Sequence, residues 1–379
     1  MSETEETYKI TMDNEGFTVK KEEVVVLKLL QYNYDDDLEG LLKDSDINWI
    51  TVLGYLAYHR VAGLIYEKVN AVNIRLLDYP VFFAVYMINQ AQRIRALEQN
   101  KYLLAISRTL CEKQIKHAFL KGSVLSNTMY TYGSRGSNDI DVLVSKKDLT
   151  ETTELLKQLG FVQGKFDYKR NSIDPFTKQE IEEHINTKGE TAPFVLVTDG
   201  IAIRTIDVDV NYSLDWSPNM AESTVEAFLA DRIRIETQEH EKIYALSYEH
   251  NLMELCIHLY KDSALIDIIK KRKVLDLYKF VDIYYYLMQN IDKMDIEKLY
   301  NEIKRFAMEK QIGFALSYVY ALFPDVRCKS LDALMDKLNF DEEIMNKIFD
   351  QYDESVSMSI QSNLVDRIFS YDLINRYKE

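Results

Sequence analysis

Asp139 and Asp141 stand two residues apart in NDIDVLV, a stretch whose branched apolar residues read as a β-strand. Strand side chains alternate between faces, so both carboxylates project from one side while Ile140 and Val142 project from the other. Two carboxylates held this close repel each other unless a cation sits between them. Mg²⁺ takes oxygen ligands, commonly one or two carboxylates together with substrate phosphates, so the pair points to metal-assisted phosphoryl chemistry. An Asp-x-Asp pair by itself is also common on solvated strand faces; its neighbourhood gives this one weight. Gly122 and Ser123 follow HAFLK and open the next helix, where free backbone amides and a hydroxyl could meet a phosphate, with Lys121 beside them. Further on, IDVDV sets Asp207 and Asp209 on one face of another strand. A third acid there could complete a second metal position or accept the attacking group's proton.

These residues need a scaffold, and the hydrophobic period supplies one. HAFLKG reads as a short strand stopped by glycine, SVLSNTMYTY as a helix and NDIDVLV as the next strand, an α/β sequence of elements. LTETTELLKQLGF reads as a helix ended by Gly160, and PFVLV (193 to 197) and AIRTIDVDVNYSL (202 to 214) as strands either side of a TDG turn. QEIEEHI is compatible with a strand or a short helix. From about Glu22 to Cys111, and again after Trp216 to the end, the spacing is helical. The expected fold is therefore α+β: a mixed-sheet core at 113–216, an N-terminal helical unit at 1–112 and a C-terminal helical domain at 217–379.

The chain has 379 residues, 47% of them apolar, enough for a large core in two or three parts. Its formal charge of -15 would repel a phosphate backbone, which argues against long nucleic acid as partner while leaving Mg²⁺-neutralised nucleotides open. No run of eighteen apolar residues occurs and MSETEETYKI lacks the basic and apolar regions of a signal peptide, so a cytoplasmic location and no membrane association are expected. Three scattered cysteines, Cys111, Cys256 and Cys328, suggest neither a disulfide framework nor a zinc site, and read as buried apolar thiols.

The segment LKGSVLSNTMYTYGSRGSNDIDVLV (120 to 144) resembles the core motif of the DNA polymerase beta-like nucleotidyltransferase superfamily, in which a Gly-Ser turn precedes an aspartate pair on the next strand. More narrowly, Lys121, Gly122, Tyr130, Arg135 and DIDVLV stand in the order typical of a largely uncharacterised bacterial branch, some of whose members lie near genes for ribosomally made peptides. AYHRVAGLIYEKV and ELCIHLYK extend the similarity over most of the chain. The resemblance implies a nucleotidyltransferase fold and transfer of a nucleoside monophosphate from an NTP, expected to be ATP, with release of pyrophosphate. Asp139, Asp141 and Asp209 would be the catalytic acids and hold one or two Mg²⁺ ions; Lys121, Gly122, Ser123 and Arg135 would bind the nucleotide. Asp209 is chosen over Asp207 because Asp209, Val210, Asn211 and Tyr212 match the family's acid, apolar residue, histidine and aromatic, with Asn211 in place of the histidine. The acidic chain favours a peptide, protein or small-molecule acceptor. Two other readings remain: an inactive nucleotide-binding or regulatory protein, and an antitoxin-like enzyme that modifies a partner.

Other features read as structural. Cys256 and His258, two apart on a helix, point to different faces and do not make a metal pair, so His258 is expected to pack or cap. The basic run Lys270, Lys271, Arg272 and Lys273 reads as a solvated face, and the YYYLM tyrosines as helix packing.

Overall fold

The computed structural model describes residues 20–33, 36–72, 77–214, 220–266, 275–350, 356–359 and 364–369. The basic run at Lys270–Lys273 and Trp216 lie outside them. The chain divides into two compact units, one formed by 89–258 with 293–299, the other by 1–88, 259–292 and 300–379.

The first of these units is built on a mixed sheet of eight strands: β1 (His117–Phe119), β2 (Asp139–Val144), β3 (Val162–Asp167), β4 (Ser172–Pro175), β5 (Phe194–Val197), β6 (Thr205–Asn211), β7 (Ile233–Glu236) and β8 (Lys242–Ala245). Their spatial order is β4-β3-β5-β6-β2-β1-β8-β7. At its centre β2 runs parallel to β6 and antiparallel to β1, while β1 in turn pairs in parallel with β8. Ile140, Val142, Phe119, Phe194, Val208 and Val210 bury one face of these strands completely or nearly so against a single apolar cluster. Each such side chain contributes on the order of 1.5–3 kcal/mol, so the strands cannot turn over without losing most of the core. Charged residues at alternate positions are thereby fixed on the opposite face.

The strands β1, β2, β5 and β6 fall where the alternation predicts. The undecided QEIEEHI segment forms a helix (Lys178–Thr187), started by Thr177, whose hydroxyl accepts from the Glu180 amide while Glu180 caps the Thr177 amide in return. The expectation of helix throughout after Trp216 is corrected by β7 and β8. These strands have only four residues each, form a hairpin with each other, and join the sheet where β8 pairs with β1, far away in sequence. Cys256 is buried as expected, but Cys111 is exposed and Cys328 half-buried, so the reading of all three as buried thiols fails. No described helix is long and apolar enough to cross a membrane.

Among its described residues the other unit is helical apart from a small hairpin, Lys347–Phe349 with Ser357–Ser359. Tyr284, Tyr285 and Tyr286 are buried in it, as the packing reading predicts; Tyr284 stacks on Phe323 with ring centroids 4.4 Å apart and donates its hydroxyl to Asp325. The buried ion pair Lys279–Asp262 fixes the helix Leu277–Asn290 to its neighbour, both side chains being less than a tenth exposed. Lys279→Met removes the ammonium that faces the buried Asp262 carboxylate and is expected to cost about 3 kcal/mol in urea unfolding; loss of less than about 1 kcal/mol would show the pair to be dispensable.

Candidate active site

The sheet brings the predicted acids together. The β2–β6 register sets Asp139 beside Asp207 and Asp141 beside Asp209, and adjacent strands lie only about 4.8 Å apart. All four carboxylates share the face opposite the core, because 139 and 141, like 207 and 209, are two apart.

Lys121 and Gly122 form the turn between β1 and the helix α1 (Lys121–Thr128). The helix begins at Lys121, before the Gly-Ser pair, and ends at Thr128, short of the predicted end at Tyr132. Lys121, and not the glycine, takes the left-handed backbone conformation, φ 46°. A side chain in that region is uncommon and costs backbone energy. Its ammonium lies 2.9 Å from Asp141 Oδ1, and the Asn211 amide donates to the same oxygen at 3.3 Å. Gly122 is needed for space: a Cβ there would come within 2.5 Å of both Arg135 Nη1 and Ser137 Oγ. Ser123 is buried over the same turn, and its carbonyl accepts from Asn127. Arg135, only 9% exposed, comes from the loop before β2, and Ser137 Oγ donates to the Asp139 carbonyl at 3.0 Å.

Tyr132 donates from this loop to Asn127 at 2.8 Å, and Asn127 donates to Asn100 on the long helix α2 (Tyr79–Glu112). Gln238, in the β7–β8 turn, donates to the carbonyls of Ser126 and Tyr130. The hairpin that sequence spacing did not reveal thus holds the end of the helix and the start of the loop that carries Arg135.

Electrostatics divide the acids. Burial raises Asp141, but the Lys121 ammonium outweighs it, with help from His258 and Asn211, and holds the carboxyl below its usual range. Burial and the Asp141 charge push Asp139 up to about 6. Burial, then Asp141, Asp139 and Glu190, push Asp209 well above the usual range. Burial works against the charge of Lys121, yet Asp141, Glu254 and Asp139 hold its pKa well above normal.

Glu254 and His258 lie four apart on one face of the helix α3 (Tyr248–Ala264). His258, expected to pack, therefore acts on Asp141, and Glu254 on Lys121. The Glu254/His258 spacing was the signal available; the Cys256/His258 pair obscured it. Asp207 is raised by burial, with Thr205 and Arg95 of α2 opposing.

The donor set fits a hard divalent cation. Carboxylate oxygens crowd one strand face, and the repulsion recorded in the raised Asp139 and Asp209 is what such an ion relieves. Among the described residues no three Asp, Glu, His or Cys side chains close around a single point. An ion held by one or two carboxylates and completed by phosphate oxygens requires no such cage.

A mixed sheet carrying paired acids beside a Gly-Ser helix start places the chain among the transferases of nucleotidyl groups, and sequence comparison gives the family. Residues 45–324 match the model of a family described as uncharacterised nucleotidyltransferase, and the chain belongs to that family. No curated protein matches it. Among solved structures, a crystal structure of an antigenic nucleotidyltransferase-like protein from Paracoccidioides brasiliensis is similar at 12% identity, covering 63% of this chain and 92% of that one with a TM-score of 0.32.

Two outcomes are expected. With Asp139 and Asp209 raised, the folded protein holds protons that the unfolded chain releases near 3.8, so metal-free stability falls as pH rises from about 4 through about 6. Asp139→Asn should then raise the melting temperature in EDTA at pH 7.5 by about 2 °C or more, and do little at pH 4. An unchanged or lower melting temperature at pH 7.5 would contradict the repulsion. Gly122→Ala should leave the far-ultraviolet circular dichroism intact while weakening Mg²⁺–ATP binding by about tenfold, since its methyl displaces Arg135 and Ser137; native affinity would show that the close approach is not used.

Proposed function

We propose that this protein is a Mg²⁺-dependent nucleotidyltransferase that moves a nucleoside monophosphate from an NTP, with ATP the expected donor, to a peptide, protein or small-molecule acceptor. The observation that carries the reading is the β2–β6 register, which sets Asp141 beside Asp209 and Asp139 beside Asp207 at the end of the Gly122–Ser123 turn. The family supports nucleotidyl transfer in general; the acid charge of the chain favours an acceptor other than long nucleic acid.

Asp139, Asp141 and Asp209 would hold one or two Mg²⁺ ions, whose charge neutralises the phosphates and stabilises the entering and leaving oxygens. The remaining work falls to the chain. Lys121 keeps Asp141 ionised and available as a ligand. The amides of Gly122 and Ser123, with Arg135, receive phosphate oxygens. Asp209, whose raised proton affinity suits a base, takes the proton of the attacking group. The acceptor oxygen or nitrogen bonds to the α-phosphorus, the α–β anhydride bond breaks, and pyrophosphate leaves with that electron pair. No protein nucleophile is needed, so positioning and electrostatics supply the rate.

Calorimetric titration of ATP, GTP, CTP and UTP with Mg²⁺ tests the reading. One nucleotide should bind in a metal-dependent way and be lost in Asp139→Ala/Asp141→Ala. Asp209→Asn should still bind while pyrophosphate release with acceptor falls about 10²-fold or more. Binding without release in any extract fraction favours the regulatory reading; release only alongside a co-purifying protein favours the antitoxin-like one; no binding overturns the proposal.

A further inference from the structure

In the helical unit a recess of about 490 Å³ is formed by the helix α4 (Glu309–Leu322), the helix α5 (Lys329–Leu338) and the turn that follows, lined among others by Ser317, Tyr320, Ala321, Met335, Asp336 and Glu342. Ligand cavities run from about 300 to 1,000 Å³, so the space suits a small molecule or a side chain of a partner, not merely a water. The sequence makes room for it in two ways. Gly313, Ser317 and Ala321 recur every four residues along α4, so one face of that helix carries small side chains. Asn339 then ends α5 in the left-handed conformation, φ 48°, which asparagine tolerates better than most residues. Beyond it the Phe340 ring lies against Gly313, where an added Cβ would collide with the ring. Phe340 is thereby seated as part of the wall.

The lining is charged and partly unspent. Among the described residues it holds three carboxylates, Asp332, Asp336 and Glu342, and one cation, Arg327. Arg327 is used within the wall: its Nε donates to Asp332 at 3.1 Å, and its guanidinium carbon lies 5.1 Å from the centre of the Tyr320 ring. Asp336 and Glu342 are exposed and have no ion-pair partner among the described residues. The Tyr320 hydroxyl oxygen is buried and has no hydrogen-bond partner among them either. Burial, and after it the charge of Asp332, raises its pKa, so it remains a donor at neutral pH. A buried donor left unmade is destabilising, and an accepting ligand atom relieves it. Met335, Met345 and Phe340 add an apolar surface that flexible thioethers can mould to a guest.

We propose that this recess binds an aliphatic amine, with the ammonium on Asp336 and Glu342, the methylene stem along Met335, Met345 and Phe340, and an acceptor atom of the ligand taking the Tyr320 hydroxyl. Long cationic side chains bury their stems on apolar surface while the charged head keeps polar company, which is the pattern this lining complements. The amine is either a free diamine or a lysine side chain of a peptide; only the second offers a carbonyl for Tyr320. The site lies on the helical unit and does not rest on the reading of the protein as a nucleotidyltransferase.

The test titrates three probes without nucleotide into the full chain carrying methyl-labelled methionine: a terminal octane diamine, the matching octane diol, and acetyl-lysine methylamide. Both amines should shift the methyl signals of Met335 and Met345, and the diol should bind about tenfold or more weakly than the diamine. Asp336→Asn/Glu342→Gln should weaken both amines about tenfold or more, whereas Glu182→Gln/Glu183→Gln, which removes two exposed charges elsewhere, should change them less than about twofold. Ala321→Leu, which fills the space, should abolish the shifts; each variant is checked for native melting. Weakening of the lysine probe alone in Tyr320→Phe identifies a peptide side chain as the natural guest, and tighter diamine binding that ignores Tyr320→Phe identifies a free amine. Equal binding of diol and diamine, affinity that survives in the folded Asp336/Glu342 variant, or equal loss in the Glu182/Glu183 control overturns the inference.

Discussion

Everything in the site depends on one constraint, the parallel pairing of β2 with β6 in the register that puts Asp141 beside Asp209. The apolar faces of both strands, Ile140, Val142, Val208 and Val210, are wholly buried, and slipping the register by one residue would drive carboxylates into that core. The core therefore pins like charges together against their own repulsion. Packing energy is spread over many side chains and the repulsion falls on a few, so packing prevails and the acids' proton affinities shift.

Given that crowding, the turn before the first helix has to supply a counter-charge, and Lys121 does so from a backbone conformation that costs energy for a lysine. The strain lies where the chemistry lies. Gly122 contributes by lacking a side chain: Arg135 and Ser137 fill the space a methyl would need, so the loop carrying Arg135 is pressed against the helix start. That loop is held by Tyr132, Asn127, Asn100 and Gln238, residues from α2, α1 and the β7–β8 turn, so its position is set by parts of the chain more than a hundred residues apart.

The same distances explain what could be read in the sequence. The strand, turn, helix and strand at 117–144 are local, each with its own period and punctuation, and the structure has them where the pattern puts them, within a few residues at the helix ends. The strand carrying Asp207 and Asp209 was legible by alternation. The strands β7 and β8 were not, since four-residue strands carry too little alternation to compete with the helical spacing around them, and their partner β1 is remote. Arg95, Glu254 and His258 sit on helices whose sequence explains only why they are helices. Which face of α2 or α3 meets the acids is a tertiary fact, and no spacing rule reports it.

The division of proton affinities assigns roles that identical side chains cannot announce in sequence. Of Asp139, Asp141 and Asp209, the one paired with Lys121 is held ionised, while on the other two burial and mutual repulsion outweigh the cations nearby and push them toward the proton. Groups whose environments drive their proton affinities apart are suited to different tasks. On the proposed reading Asp141 is the permanent anion that anchors a cation, whereas Asp209, beside it in register but on the far strand, can gain and release a proton as the local charge changes. Lys121 supplies the positive charge that keeps Asp141 ionised, and the Asn211 amide donates to the same carboxylate oxygen.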